Sequence, residues 1–308
     1  MKNNSISKKY QRNILRIFCI ILSVVFCIIS LTFYSKANNK SINSIDKSNA
    51  TMQVHFIDVG QSNCTLIQSK NYNMLIDAGD SLSGNKIVNY LNNLGITKLN
   101  YVIATHAHED HIGGMYDIIN NFKIDTFFLP KKTHNTTTYL AMLEALDANN
   151  ISITSPIYLK SYPLGYGEFT IISPIIDSNE LSINNSSITV RITDSNNSFI
   201  IGGDMEKRQE LSLVNQDIDL SADVLLLNHH GSNTSNSLRF LQEVNPSMAI
   251  ISVGNGKQYN MPNKEVINRL NSLNIPYYST YENGTIIAKS DGNSIAYTVS
   301  KNEKHQEY

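Results

Sequence analysis

One stretch constrains this chain more than any other: Thr105-His106-Ala107-His108-Glu109-Asp110-His111-Ile112-Gly113-Gly114. Three histidines and an aspartate fall within six consecutive positions, a density that turn formation does not require. Imidazole and carboxylate are the donors that hold zinc, manganese or iron. The apolar run Tyr101-Val102-Ile103-Ala104 before the stretch suits a buried strand, and the paired glycines after it lead into a segment with helical character. The ligands therefore sit on a strand-to-helix loop. In extended backbone alternate side chains share a face, so His106 and His108 point one way while Asp110 and His111 turn another. That division suits two adjacent cations better than one.

Around this loop the hydrophobic pattern alternates. Short β-prone runs at 53–59, 64–67 and 73–79, separated by Gly, Asn and Ser, predict adjacent antiparallel strands. Helical spacing over 86–94 stops at Gly95. Further helices are expected over 115–122, 139–146, 206–213 and 264–273. Further strands are expected over 124–129, 169–172, 188–192, 198–201, 223–227 and 248–253, near 277, and over 285–288 and 295–299. Strand runs followed by helices, twice over, predict an α/β architecture of two mixed sheets face to face with helices outside. One domain of about 250 residues accommodates it.

Several of these strands end on polar groups. Asp58 and Asp77 each precede a glycine turn, where an Asx turn and a supporting role behind a site are equally open readings. Asp204 follows Gly202-Gly203, and Asn228-His229-His230-Gly231-Ser232 follows the buried run 223–227. Adjacent histidines beyond a buried strand point to a metal role for at least one of them. Lys131-Lys132-Thr133-His134 reads as a solvated loop, with contact to an anionic substrate or an extra metal ligand as the alternatives.

The amino terminus differs in kind. Lys2, Lys8, Lys9, Arg12 and Arg16 precede an uncharged, mostly apolar run over 17–34, and an Asn-, Ser- and Lys-rich spacer follows. Basic flank, bilayer-length apolar run and polar spacer predict a signal anchor, with the remainder of the chain outside the membrane. Small residues at Ser35-Lys36-Ala37 make a cleaved signal peptide the alternative. The expected divisions are 1–37 anchor or signal, 38–51 linker, 52–299 folded domain and 300–308 polar tail. Of the 25 Lys and Arg, six lie in residues 1–37 with no acidic residue among them, leaving 19 basic against 26 acidic side chains beyond. A domain so charged shows no basic face for gripping duplex DNA. Cys64 is the only cysteine outside the apolar run, so no intramolecular disulfide can form there.

A narrower resemblance follows from the order of the motifs. Phe56-Ile57-Asp58-Val59-Gly60-Gln61, the histidine loop, Asn185 before a strand, Gly203-Asp204, His229-His230-Gly231-Ser232, and Val253-Gly254 leading to Tyr259 and Pro262 recur in one order. That is the order in the metallo-β-lactamase domain of ComEC-type competence proteins, which the chain resembles over residues 52–299. It is also similar to the phosphorylcholine esterases of that fold. The resemblance does not extend to the membrane helices of the full competence channel. It implies an αββα sandwich carrying two divalent metal ions, zinc first, with manganese or iron accepted by the same donors. His106 and His108 would hold one ion, Asp110, His111 and His230 the other, and Asp204 would bridge them. Asp110, Asp204 and His229 would stand nearest the reaction, with His229 an extra ligand or a substrate contact. Many members of the fold place a further histidine on the first ion; here His134 is the only one in that interval, and Asn185 or a water is the other occupant.

Two such ions would bring a water towards ionisation near neutrality and stabilise charge developing on a phosphoryl or carbonyl oxygen. The expected function is an extracytoplasmic, membrane-tethered hydrolase of phosphodiesters or phosphoesters, nuclease-like or acting on wall and teichoic-acid esters. Its partners would be a small, wall-bound or single-stranded nucleic-acid phosphoester, and the bilayer through residues 17–34. A non-catalytic metal-dependent binding protein is the alternative, as is a lactonase or β-lactamase. Two departures bear on this choice. Ser62-Asn63 stands where the family commonly has Gly-Asp, and Met261 stands where it often has histidine before Pro262.

Overall fold

Alternating side chains sort the strands into layers, and the layers fix where the loops emerge. The computed structural model describes residues 50–255 and 260–301. The expected anchor over 1–37, nearly all of the linker, Tyr259 and the tail beyond residue 301 lie outside the described residues. Among the described residues no helix is long and apolar enough to cross a membrane.

In chain order the strands are β1 (Met52–Phe56), β2 (Thr65–Ser69), β3 (Tyr72–Ile76), β4 (Lys98–Ile103), β5 (Lys123–Phe128), β6 (Ile153–Thr154), β7 (Ser161–Leu164), β8 (Gly167–Ser173), β9 (Thr189–Asp194), β10 (Asn197–Ile201), β11 (Val224–Leu226), β12 (Met248–Ile251), β13 (Tyr277–Ser279), β14 (Ile286–Ser290) and β15 (Ile295–Val299). The first sheet runs β15-β14-β1-β2-β3-β4-β5-β6 and the second β13-β12-β11-β10-β9-β8-β7. Each sheet is mixed in the same way. The first is antiparallel as far as β3 and parallel from β3 to β6. The second is antiparallel from β7 to β10 and parallel from β10 to β13.

The helices are α1 (Gly84–Asn93), α2 (Glu109–Ile112), α3 (Met115–Asn121), α4 (Thr137–Ala148), α5 (Lys207–Val214), α6 (Leu238–Val244), α7 (Lys264–Ser272) and α8 (Thr280–Asn283). Phe199 and Ile201 of β10 enter a core between the sheets with Phe56, Ile103 and Phe128, while Ile200 turns to the opposite face with Leu213 of α5 and Phe240 of α6. On the first sheet Leu75 and Val102 turn outward to Ile87 and Leu91 of α1 and Met142 of α4. The result is helices, sheet, sheet, helices, as expected. Each fully buried aliphatic or aromatic side chain contributes about 1.5–3 kcal/mol to holding the layers together.

Several elements depart from expectation, β6 and α8 among them having no expected counterpart. β1 stops at Phe56 rather than 59, because the Asp58 amide donates to Thr285 Oγ1 and Gly60 turns the chain at φ 76°. β7 contains Pro163, which marks the start of a strand-rich region in the sequence; it is tolerated within a strand because β7 lies at a sheet edge. α6 has no expected counterpart, although Ser237 caps it by accepting from the Phe240 amide.

Candidate metal centre

The loops after β3, β4, β10 and β11 meet at one edge of the sandwich. Asp110, His111, Asp204 and His230 form one group of donors, and His106, His108 and Asp204 a second, with the donor atoms of each group within 4.8 Å of one another. Asp204 belongs to both. Its Oδ2 lies 3.7 Å from His106 Nε2 and its Oδ1 lies 3.1 Å from His111 Nε2. Asp110 Oδ2 lies 3.1 Å from His230 Nε2 and 3.7 Å from His111 Nε2. His229 stands beside the groups, its Nε2 3.5 Å from Asp204 Oδ2.

On the first side the scaffold is Asp77. Left-handed backbone at φ 59° turns this wholly buried carboxylate back under the histidine loop. It accepts from the Thr105 amide at 2.8 Å, from Thr105 Oγ1 at 2.9 Å and from His111 Nδ1 at 2.7 Å. With its proton held on Nδ1, His111 presents Nε2 to the centre. The glycines after the loop permit a close approach: a Cβ on Gly113 would lie 2.2 Å from the Asp80 carbonyl carbon.

The second side is held differently. The Asp204 amide donates to Ser187 Oγ at 2.9 Å, and His230 Nδ1 donates to the Ser252 carbonyl at 2.8 Å, leaving Nε2 free to face Asp110. His229 and His230 both lie in the left-handed region, at φ 51° and 53°. The Thr234 hydroxyl holds His229 at Nδ1, 3.2 Å away.

The other residues singled out by sequence separate clearly. Asp58 is a surface partner of Lys301 at 2.8 Å and takes no part in the centre. The His134 ring lies 6.2 Å from that of His108, and its Nδ1 accepts from the Asn135 amide. Asn185 is engaged elsewhere: Nδ2 donates to Ser182 Oγ at 2.9 Å and to Glu206 Oε2 at 3.1 Å, and Oδ1 accepts from the Glu206 amide. Its neighbour Asn184 lines the cavity instead, with a buried Oδ1 that has no partner. Asn63 bridges the two sides, its amide donating to the Asp110 carbonyl and its Nδ2 to the Gly202 carbonyl at 3.3 Å. An aspartate could not make the second of these bonds. Met261 lines the cavity and accepts from Gln61 Nε2 at its sulfur.

Sequence reasoning assigned no role to Thr105, Asn184 or Glu210. Thr105 lies next to the motif, but its role depends on Asp77, far away in sequence, so no local pattern marks it. The cavity over the donors measures about 480 Å³ and is also lined by Ser62, Asp80 and Glu109.

The electrostatics fit a cation. Burial alone would raise the Asp204 carboxyl, but His111 and His106 hold it well below the ordinary range. Burial alone would lower the His111 imidazole, but Asp204, Asp110 and Asp77 hold it well above. Burial, reinforced by His111, holds His106 well below its usual value. Buried carboxylates thus gather protons onto a neighbouring histidine, the place a divalent ion takes when ligands lose their protons on binding. His111 Nε2 and Asp204 Oδ1 face each other without hydrogen-bond geometry, as atoms aimed at a common ion would. The residues present therefore fit a pair of divalent metal ions.

Comparison with known proteins gives a concordant family. The profile of the Metallo-beta-lactamase superfamily matches residues 57–254. The chain is 29% identical to ComE operon protein 3 of Bacillus subtilis over 252 residues, covering 76% of this chain and 32% of that protein. It is 27% identical to Competence protein ComA of Neisseria gonorrhoeae over 231 residues, covering 74% of this chain and 31% of that one. It thus spans about a third of the length of these curated relatives. Among solved structures, the metallo-beta-lactamase fold protein YhfI of Bacillus subtilis is similar with a TM-score of 0.50 at 13% identity, covering 78% of this chain and 99% of that one. Igni18, a metallo hydrolase of Ignicoccus hospitalis, also gives 0.50, at 16% identity, covering 76% and 98%.

Proposed function

This chain belongs to the metallo-beta-lactamase superfamily, and from that premise we propose an extracytoplasmic, membrane-tethered dinuclear metallohydrolase of phosphodiester or phosphoester substrates. His106 and His108 would hold one ion and Asp110, His111 and His230 the other, with Asp204 offering an oxygen to each group. The observation that carries this reading is the sharing of Asp204 between two donor groups, one oxygen facing His106 and the other His111. Bound there, divalent cations supply Lewis-acid polarisation and a water of lowered pKa. Asp110 and Asp204 accept hydrogen bonds from the attacking water and orient it. His229, steadied by Thr234, carries a proton to the leaving oxygen on Nε2, since the Met261 thioether at the same cavity has none to give.

The lining of the cavity supports a small or wall-bound ester over nucleic acid. Asp80, Glu109 and Asp110 line it, and among the described residues no Lys or Arg does. A phosphoryl group would then meet no Lys or Arg among the described lining residues, and a long polyanion would meet acidic walls. Membrane attachment rests on residues 17–34, as read from sequence.

The test is elemental analysis of the purified protein, paired with hydrolysis of bis(p-nitrophenyl) phosphate with and without added zinc or manganese. About two ions per chain and chelator-sensitive turnover are expected. Metal without turnover on any ester favours a binding protein instead, the reading that Met261 in place of an acid-base group supports.

A further inference from the structure

The backbone that presents His229 and His230 is unfavourable on its own. His229, His230 and Gly231 take φ of 51°, 53° and 77° in succession, a region that only the glycine enters freely. Something outside the turn must hold it, and the surrounding contacts converge on Glu210 of α5.

Glu210 is wholly buried. Among the described residues no Lys or Arg pairs with it, and every partner is a donor from the segment that carries the histidines. Asn228 Nδ2 donates to Oε1 at 2.9 Å, the Asn236 amide to Oε1 at 2.6 Å and the Ser237 amide to Oε2 at 2.8 Å. The two ends of the segment also clasp each other. The Asn228 amide donates to Asn236 Oδ1 at 3.0 Å, and Asn236 Nδ2 donates to the Asn228 carbonyl at 2.9 Å. From outside, Arg269 Nη1 holds the Ser235 and Asn236 carbonyls, both at 3.0 Å. One carboxylate thus fixes the residue immediately before the histidine pair and the two residues that end the loop.

We propose that Glu210 is a positioning residue of the metal centre: it clamps residues 228–237 so that the left-handed turn aims His230 Nε2 at Asp110, and so sets the ion affinity of the Asp110, His111, Asp204 and His230 group without touching that ion. The proposal rests on the reading of that group as a metal site. It gives the two donor groups separate controls, because among the described residues neither His106 nor His108 bonds Glu210 or residues 228–237, and only the shared Asp204 meets that loop, at His229.

The experiment is a zinc titration of the metal-free full-length chain against a chromophoric chelator, comparing the parent with Glu210→Gln. The amide keeps the size of the side chain, but its NH2 must confront one of the donors that now meet an oxygen. The expected result is selective: one ion binds within about threefold of the parent and the other is weakened about 10- to 100-fold. The cobalt-substituted protein should lose the absorption of one of its two sites. Arg269→Ala, which releases two loop carbonyls and leaves Glu210 in place, should weaken the same ion by a smaller factor and keeps the test open if Glu210→Gln does not fold. Affinities for both ions unchanged from the parent in folded Glu210→Gln, or uniform weakening of both with a lowered Tm of the metal-free protein, would overturn the proposal. A parent that binds no zinc would overturn the reading of the centre itself, and the proposal with it.

Discussion

On the β4 side of the centre, four donor residues crowd one loop; on the β10 and β11 side, Asp204 and His230 arrive from separate loops. The first side is held by close packing and a single carboxylate, Asp77, which takes three hydrogen bonds from Thr105 and His111. The second is held by a disfavoured backbone turn whose restraint comes from Glu210. Both sides therefore place a buried carboxylate, with no Lys or Arg partner among the described residues, behind a histidine, but at different distances from it. Asp77 bonds the ligand ring itself, whereas Glu210 bonds only the chain on either side of the ring. A dense motif can be steered atom by atom, while scattered ligands are steered through their backbone.

The largest expected effect comes from removing the residue the two sides share. Asp204→Ala should lower hydrolysis by at least about 10³-fold and empty both donor groups; a fully active Asp204→Ala protein would remove the basis for a joint centre. Asp77→Asn sets an amide against donors and should weaken the ion held by His111 about 10- to 100-fold, read by the same chelator competition. If His108 and His106 lost their ion equally, the first side would be one rigid unit rather than two.

The pH dependence of stability separates the sides further. His55 of β1 is buried on the outer face of the first sheet, where burial, assisted by Lys289, lowers its imidazole to about 4. A neutral His55 Nδ1 accepts from the Tyr90 hydroxyl at 2.8 Å. Its contribution is fully present above the unfolded value of 6.5 and is lost as the pH falls from there towards 4, amounting to about 3 kcal/mol. Urea unfolding of metal-free protein across that window should show the slope, and His55→Gln should flatten it. The smallest effect is expected at His134. His134→Ala should change turnover by less than about twofold, because its ring is turned to the Asn135 amide; a large loss would make it the missing ligand of the first ion.

How much of this was legible depended on how local the determinants are. The histidine loop announced itself because its donors are contiguous, and Asp204 and His230 because they follow buried strands. The four layers were legible because strand runs followed by helices occur twice in the chain. Asp58 and Asp77 were not separable: both stand in the pattern Ile-Asp-x-Gly at the end of a strand. What distinguishes them is tertiary. Asp77 meets Thr105 and His111 across the sheet, while Asp58 meets Lys301 at the surface. Glu210 reads as one more polar residue of an amphipathic helix until the loop after β11 folds over it.

The order of strands in the first sheet also bears on time. β1 lies between β2 and β14, and the Thr51 hydroxyl reaches the Ser290 carbonyl across 239 positions of chain. Among the described residues, the first strand to leave the ribosome is thus completed by the last hairpin made. Closing so long a loop is slow, and until it closes β1 presents an unpaired edge open to other chains. A chain cut short before β14 keeps every metal-donor residue named here and loses the partner that protects its first strand. Nascent and truncated forms should therefore aggregate through β1 long before any defect at the metal centre is felt.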